Sequence, residues 1–492
     1  MDYANGFCNI IKSKSEIIKL GLILCIVLFI GSYKLTESPR TWFDEGFIIQ
    51  SAHNFYETGK LAIRISPKEV VGSTVWFSTG YPIVAPIALS MAVFGHSLVA
   101  ARAVMVMVLI CFVLICYLLA KELWGPSVAF LSSVLVATFP PLYGNGKNVL
   151  GELPGLLFLF LFLYLSEQLI RKEQSNVLYV ITGCTLGLCV FTKSIFFTVP
   201  VAALVGAYFY RKEIFTNKRG LALFLLSFCI MAFLWVFTQV YSTDSFRSAL
   251  TDLANPYAAE SIWSIVLLNV KRFFTELTPI YFLLLMIGWF FASIIRKHRQ
   301  IGQLSFSEIV FSVFAILTFL AYFRIVGWYR YFFPAHVVML FLLPAALSYL
   351  SSGWKETKYV GLVGRGCLAI VFILVSIQSY QLLFRSFVAG YYQSHDTEIV
   401  SSYFSRIPPE KSIFILNAPE LATFIKGENY YQYIDMTETI KIGSSALDAV
   451  KKGIPDLCIT YAGSDKLPLN FLNNYKQKDI VGRYIVYDKV GI

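Results

Sequence analysis

Eleven runs of mainly apolar residues recur along the chain, at 17–33, 98–119, 127–143, 153–170, 177–192, 195–210, 220–240, 279–295, 307–323, 331–350 and 360–383. A helix crosses the hydrocarbon core of a bilayer with about 20 such residues, and with fewer where flanking side chains snorkel to the surface. The expected fold class is therefore an α-helical polytopic membrane protein with about eleven transmembrane helices. Composition agrees: 57% of the 492 residues are hydrophobic and 14% charged, with a mean hydropathy of +0.65, against about 45–50% apolar and about 25% charged in a soluble chain. Intrinsic disorder, collagen and small disulfide scaffolds are excluded.

The net charge of +11 does not point to nucleic acid, because most basic residues form short clusters between the apolar runs. Lys12/Lys14/Lys19, Lys121, Arg171/Lys172, Arg211/Lys212/Lys218/Arg219, Arg296/Lys297/Arg299 and Lys355/Lys358/Arg365 all fall on one side if the runs alternate across a membrane. The positive-inside rule makes that side the cytoplasm. The other side receives segment 34–97, loops near 144–152 and 241–278, the turn from Arg324 to Arg330, and the tail from about residue 390. The first run lacks a small-residue cleavage site before Lys34-Leu35-Thr36, so it reads as a retained span rather than a signal peptide. Seven of the nine cysteines lie in apolar stretches and no CxxC pair occurs, which supports neither a zinc site nor a disulfide framework.

Two parts of the outer side carry structure of their own. Segment 34–97 contains an amphipathic stretch from Phe47 to Thr58, closed by Gly59 as a helix C-cap. Its second apolar stretch, Pro82 to Phe94, suits an interfacial or re-entrant helix better than a span. The tail, 390–492, alternates helical patterns (Thr397–Arg406, Pro419–Ile425, Ser445–Lys452) with strand-like runs (Ser412–Leu416, Leu457–Tyr461, Arg483–Tyr487). It reads as a small extracytoplasmic α/β domain after a membrane domain at 1–389.

Chemistry is sought among the few charges on the outer side. Asp44 and Glu45, in Trp42-Phe43-Asp44-Glu45-Gly46, stand just beyond the first run, where charge loses hydration and must pair, bind a cation or serve a reaction. The plainer reading is that Asp44 caps the following helix while Glu45 favours its first turn. Glu152, in Gly151-Glu152-Leu153-Pro154, stands at the mouth of the fourth run, where a helix-dipole role is the alternative. Lys193 separates two apolar runs, and Arg324 and Arg330 flank the turn before Tyr331. Each could simply snorkel, or together they could bind an anionic headgroup, with arginine supplying a fork of donors. Arg102, about one turn inside the second run, calls for a carboxylate or a headgroup as partner. His53, His96, His336 and His395 have no metal-ligand spacing and read as single polar contacts. Trp42, Trp76, Tyr81, Trp328 and Tyr329 fit an aromatic belt, some of them able to stack on a sugar ring.

Five landmarks in this order resemble the GT-C-type membrane glycosyltransferases, in particular the group with aminoarabinose transferases and protein O-mannosyltransferases. They are Asp44-Glu45 after the first run; Tyr81-Pro82 through Gly95, then Ala101-Arg102; Gly151-Glu152-Leu153-Pro154; Gly187 through Lys193 to Pro200; and Arg330-Tyr331 with Pro334. The resemblance implies transfer of a sugar from a polyprenyl-phosphate donor to a lipid, glycan or protein acceptor outside the cytoplasm. Asp44 would then be the catalytic base and Glu152 a second acidic residue, with Glu45 beside them, while Lys193 and Arg330 bind the lipid phosphate. Tyr331, Tyr81 and Arg102 complete the expected substrate-binding set. Tyr81 is a departure, since several relatives carry lysine before the proline, a further phosphate contact.

Elementary chemistry agrees with that reading. A polyprenyl phosphate is already a good leaving group, so one base and several cations suffice, and attack opposite the phosphate inverts the anomeric centre. Glycoside hydrolysis differs in needing a second carboxyl group as acid. No cofactor is required; a divalent cation at Asp44, Glu45 and Glu152 is compatible with the carboxylates, but no ligand spacing demands it. The competing class is a transporter or flippase for a lipid-linked anion, which would favour internal repeats and broken helices at the midplane; the sequence has no internal repeat.

Overall fold

The computed structural model describes residues 14–72, 79–171, 175–239, 261–300, 302–325, 329–352, 360–386, 390, 394–435, 441–463 and 474–490. Lys12, Trp76, Lys172, Trp328, Lys355 and Lys358, and much of the loop expected at 241–278, lie outside the described residues.

All eleven apolar runs are helical. They form α1 (Lys14–Ser32), α4 (Leu98–Trp124), α5 (Pro126–Ala137) with α6 (Pro140–Lys147), α7 (Glu152–Arg171), α8 (Asn176–Thr192), α9 (Val199–Phe209), α10 (Lys218–Gln239), α12 (Leu277–His298), α13 (Phe306–Tyr322), α14 (Tyr329–Ser352) and α15 (Val360–Tyr380). By length and composition six described helices could cross a membrane, or seven if α5 and α6 are one broken span. The 127–143 run, expected as a single span, bends by 63° between α5 and α6. Pro140 and Pro141 explain the break, since neither has an amide proton and each ring blocks the preceding turn.

Aromatic packing knits the bundle. Phe160 of α7 meets Phe112 of α4 at 5.1 Å, Phe311 of α13 at 4.8 Å and Phe341 of α14 at 4.8 Å between ring centroids, so one buried ring ties four helices. α8 and α10 approach more closely. Gly183 and Gly187, one turn apart, face α10, where a Cβ on Gly187 would lie 2.7 Å from Met231 Cγ. Small residues at this spacing are the usual means of close helix contact where lipid offers no hydrophobic drive.

Several of the basic clusters gather at one end of the bundle. Lys121 pairs with Glu16, Arg171 with Glu167, and Arg296 with Glu308. Glu308 also accepts from Trp124 Nε1 and the Tyr349 hydroxyl. Arg102, Glu152 and Arg330 lie at the opposite ends of α4, α7 and α14.

That opposite end carries the polar elements. α2 (Phe43–Thr58) ends at Gly59, whose φ of 71° suits the left-handed cap. A hairpin of β1 (Ile63–Ser66) and β2 (Glu69–Val71) follows, then α3 (Tyr81–Phe94). The amphipathic α11 (Ile262–Thr275) lies in the region expected to be loop. The tail begins with α16 (Asp396–Ser405) and builds a six-stranded mixed sheet. Its strands are β3 (Ile413–Leu416), β4 (Tyr430–Asp435), β5 (Lys441–Ile442), β6 (Leu457–Tyr461), β7 (Tyr475–Val481) and β8 (Tyr484–Lys489), in the order β5-β4-β3-β6-β8-β7. β4, β3 and β6 run parallel. Central β3 is buried along its whole length, as expected for a strand covered on both faces. α17 (Ser444–Lys451) contributes Ala446 and Val450 to one of the two apolar cores.

The tail is docked on segment 34–97. Arg64 pairs with Glu428 at 2.6 Å, Gln50 Nε2 donates to Pro419 O at 2.7 Å, and Thr397 N donates to Glu37 Oε2 at 3.1 Å.

Candidate active site

Asp44 owes its place to the residue after it. The helix begins at Phe43, earlier than the sequence suggests, so Asp44 lies in its first turn and the capping contact is made by Glu45, whose Oε2 accepts from Trp42 N at 3.2 Å. Glu45 is wholly buried and faces the equally buried Arg102 of α4: Nε donates to Oε1 at 2.8 Å and NH2 to Oε2 at 2.7 Å. Val149 N adds a donor to Oε1 at 3.1 Å. Each Glu45 oxygen thus receives two hydrogen bonds. Arg102 spends its other donors on Leu35 O at 2.6 Å, Pro39 O at 2.8 Å and Asn148 Oδ1 at 2.9 Å. Of the partners foreseen for Arg102, the structure supplies the carboxylate, and this buried pair joins four segments behind Asp44.

The second acidic site is built at a helix break. Lys193, in extended backbone after α8, pairs across a β-bridge with Thr79. Gly80 N donates to Thr192 O at 3.0 Å, so close that a Cβ on Gly80 would strike the Phe191 carbonyl oxygen. From this platform Lys193 Nζ donates to Glu152 Oε1 at 2.7 Å, with 5% of the lysine and none of the glutamate side chain exposed. Gly151 permits the approach, since a Cβ there would lie 3.1 Å from Lys193 Cβ. Glu152 Oε2 is buried without a hydrogen-bond partner among the described residues.

Arg330 and Tyr331, in the first turn of α14, connect the two acidic sites. Arg330 forms an ion pair with Asp44, and both remain partly exposed. Its guanidinium lies 4.9 Å from the Tyr331 ring centroid, and NH2 donates to the Tyr331 hydroxyl at 3.0 Å. Lys193 Nζ is 5.9 Å from the same ring, within the range of a cation–π contact. Asp44, Arg330, Tyr331, Lys193 and Glu152 therefore form one chain of contacts, drawn from four separated stretches of sequence.

Other expected residues lie elsewhere. The Tyr81 hydroxyl turns to α10 and donates to Met231 O at 3.3 Å. Arg324 stays exposed. His53 stacks on His96 at 4.3 Å and also approaches Glu57, His336 meets Tyr329, and His395 meets Glu398. Among the described residues no group of three His, Cys, Asp or Glu side chains could hold a metal ion.

Two features escaped the sequence reading. Lys147, at the end of α6, is fully buried and donates to Tyr33 O at 2.6 Å; its place near the loop expected at 144–152 was a signal, but its burial follows from the α5–α6 break. Arg483 of the tail reaches Thr41 O at 3.0 Å, a contact across the whole chain that no local pattern announces.

The comparisons agree with this architecture. The family model described as dolichyl-phosphate-mannose-protein mannosyltransferase matches residues 82–240. ArnT from Cupriavidus metallidurans bound to undecaprenyl phosphate is similar in structure, with a TM-score of 0.65, 13% identity, and coverage of 96% of this chain and 98% of ArnT. The Archaeoglobus fulgidus oligosaccharyltransferase tethered to an acceptor peptide gives a TM-score of 0.53 at 13% identity, covering 92% of this chain and 69% of its own. The same archaeal enzyme, AglB, in complex with an inhibitory peptide and a dolichol-phosphate gives 0.51 at 13% identity, covering 92% and 70%. No curated protein matches the sequence. The resemblance to GT-C-type membrane glycosyltransferases thus extends over the fold of nearly the whole chain.

Proposed function

We propose that this chain is a multi-pass membrane glycosyltransferase that moves a sugar from a polyprenyl-phosphate donor to an acceptor outside the cytoplasm. The observation that carries the proposal is the contact chain from Asp44 through Arg330, Tyr331 and Lys193 to Glu152. It pairs one partly exposed carboxylate with one cation and links it through Tyr331 to a second, at one end of an apolar bundle. The fold shared with ArnT, whose structure holds undecaprenyl phosphate, and with AglB, whose structure holds dolichol-phosphate, supports the donor class.

In this reading Asp44 accepts the proton of the acceptor nucleophile as it attacks the anomeric carbon. The bond to the phosphate oxygen breaks on the opposite face, and the configuration inverts. Arg330 and Lys193 stabilise the negative charge that collects on the departing lipid phosphate, which removes the need for a general acid. Glu152 holds Lys193 in place and keeps one oxygen available as a hydrogen-bond acceptor. Tyr331 spaces the two cations. Glu45 and Arg102, expected at the chemistry, act instead as positioning residues, because their mutual hydrogen bonds and burial leave no free carboxylate oxygen. Tyr81 braces α3 against α10. A divalent cation remains compatible with Asp44 and Glu152 without being needed for the balance of charge.

Topology follows from the same account. The eleven helical runs cross the membrane with α5 and α6 as one broken span, in a membrane domain at 1–389. The end with Lys121, Arg171 and Arg296 faces the cytoplasm by the positive-inside rule. The site, segment 34–97 and the domain at 390–492 then lie outside. The test is incubation of the purified chain in liposomes with radiolabelled polyprenyl-phosphate sugar and envelope membranes as acceptor. Label transferred to the acceptor supports the proposal. Translocation of the lipid without sugar transfer would instead identify a flippase.

A further inference from the structure

Resting on the transferase reading, we infer that the C-terminal domain is a positioning device for Asp44, acting through Arg483, Glu420 and Gly46. The argument begins at Gly46, two residues beyond the base. The α2 face that holds Gly46 and Gln50, one turn apart, is seated on the backbone of the 3-10 turn Pro419–Phe424. A Cβ on Gly46 would lie 2.6 Å from the Pro419 carbonyl carbon and closer still to Glu420 N. Gln50 then fixes the same backbone with its 2.7 Å hydrogen bond to Pro419 O. Only glycine at 46 allows the helix to sit so low.

The lead-in to α2 is held from the other side. Arg483, in the turn between β7 and β8, donates through NH2 to Thr41 O at 3.0 Å and to Glu420 Oε1 at 2.7 Å. Its guanidinium lies 5.4 Å from the Tyr461 ring and 5.1 Å from the Tyr484 ring. The Tyr484 hydroxyl donates to the same Glu420 oxygen at 2.7 Å, and Tyr461 contacts it as well. Asp396 Oδ1 accepts from Arg483 N at 3.2 Å. Glu420 is 1% exposed, so the charge pair is shielded from solvent and held by several hydrogen bonds rather than one. One charged cluster in the tail therefore grips residue 41 on one side of Asp44 while its own backbone supports residue 46 on the other. Glu45 and Arg102 secure the helix start from the membrane side. Without the tail, one of these two supports is gone.

A base displaced by about 1 Å can cost about 100-fold in rate with little change in binding. The effect should thus appear in kcat rather than in KM for the donor. The experiment compares wild type with Arg483→Ala, Arg483→Lys, Gly46→Ala and the control Lys478→Ala, which breaks an exposed pair with Asp488 on the same domain. Each full-length chain is reconstituted with radiolabelled polyprenyl-phosphate sugar and envelope membranes, and amide hydrogen exchange is measured over residues 41–50. The expected result is a fall in kcat of tenfold or more in Arg483→Ala and Gly46→Ala, KM for the donor within twofold, and faster exchange over 41–50. Arg483→Lys should recover part of the loss, and Lys478→Ala should match wild type. Arg483→Lys retains the charge, so it keeps the test open if Arg483→Ala does not fold. Wild-type kcat and exchange in the Arg483 and Gly46 variants, with an active wild type, would overturn this inference alone. An inactive wild type would overturn the transferase reading and this inference with it.

Discussion

Asp44 and Arg330 form an ion pair between the first turns of α2 and α14. The pair engages the proposed base with the same cation that a lipid phosphate would attract. In the proposed reaction the donor phosphate would therefore compete with Asp44 for Arg330.

Arg330→Lys tests this competition. Lysine keeps the charge but loses the planar fork that can serve a carboxylate and a phosphate together. The expected outcome is a fall of about tenfold or more in kcat/KM for the donor, with an unchanged melting temperature, measured by transfer kinetics and thermal unfolding in detergent.

The Glu45–Arg102 pair is expected to be structural in its signature. Arg102→Met leaves a buried carboxylate uncompensated, at a cost of about 3–5 kcal/mol. The double variant Glu45→Met/Arg102→Met removes both charges and should regain much of that stability. It should not regain activity, because the first turn of α2 then loses its anchor on the membrane side and keeps only the support of the C-terminal domain. Thermal unfolding and turnover, measured on the same preparations, separate the two effects.

The Glu152–Lys193 pair should behave differently from a snorkelling lysine. Glu152→Gln strands a buried ammonium and costs about 3–5 kcal/mol, whereas an exposed pair is worth about 0–1 kcal/mol. In Glu152→Gln/Lys193→Met stability should return while donor use stays low. Normal donor dependence in that double variant would argue against the phosphate role of Lys193.

Segment 34–97 and the tail meet at Glu37, and burial there should be visible in pH dependence. Burial raises the Glu37 pKa above the ordinary carboxylate range, against hydrogen bonds from the Thr397 and Glu398 backbone that lower it. A raised native pKa means that the folded state holds a proton the unfolded state releases, so this contribution is fully present below the unfolded pKa of about 4.3. It is lost as pH rises through the native value. Glu37→Gln should therefore gain melting temperature relative to wild type between pH 4 and 7, with the difference smallest at pH 4. A constant offset across that range would contradict the assignment.

The apolar runs made the helices legible because lipid solvation demands long uninterrupted stretches, and Gly59 marked the end of α2 because a left-handed cap favours glycine. Asp44, Glu152, Lys193 and Arg330 stood out as candidates because charge is scarce near a bilayer boundary. The break at Pro140 was readable in principle, though apolar content masked it. Strands β4 and β7 were not: Tyr430–Asp435 carries the polar Gln432, which is buried only because it bonds Gln50 and the Arg64 carbonyl, and Tyr475–Val481 is an edge strand that tolerates charged residues. Nor was the division of labour between adjacent carboxylates. Asp44 and Glu45 look alike in sequence, and only the approach of Arg102 and Val149 assigns one to the interior.

Replacing Asp44 by asparagine tests the central claim most directly, because the side chain keeps its size and loses its basicity. In liposomes with radiolabelled polyprenyl-phosphate sugar and envelope membranes, wild type should transfer label, and Asp44→Asn, with an unchanged melting temperature, should be slower by about 100-fold or more, the usual scale of a general base. Transfer by folded Asp44→Asn at the wild-type rate would contradict the account.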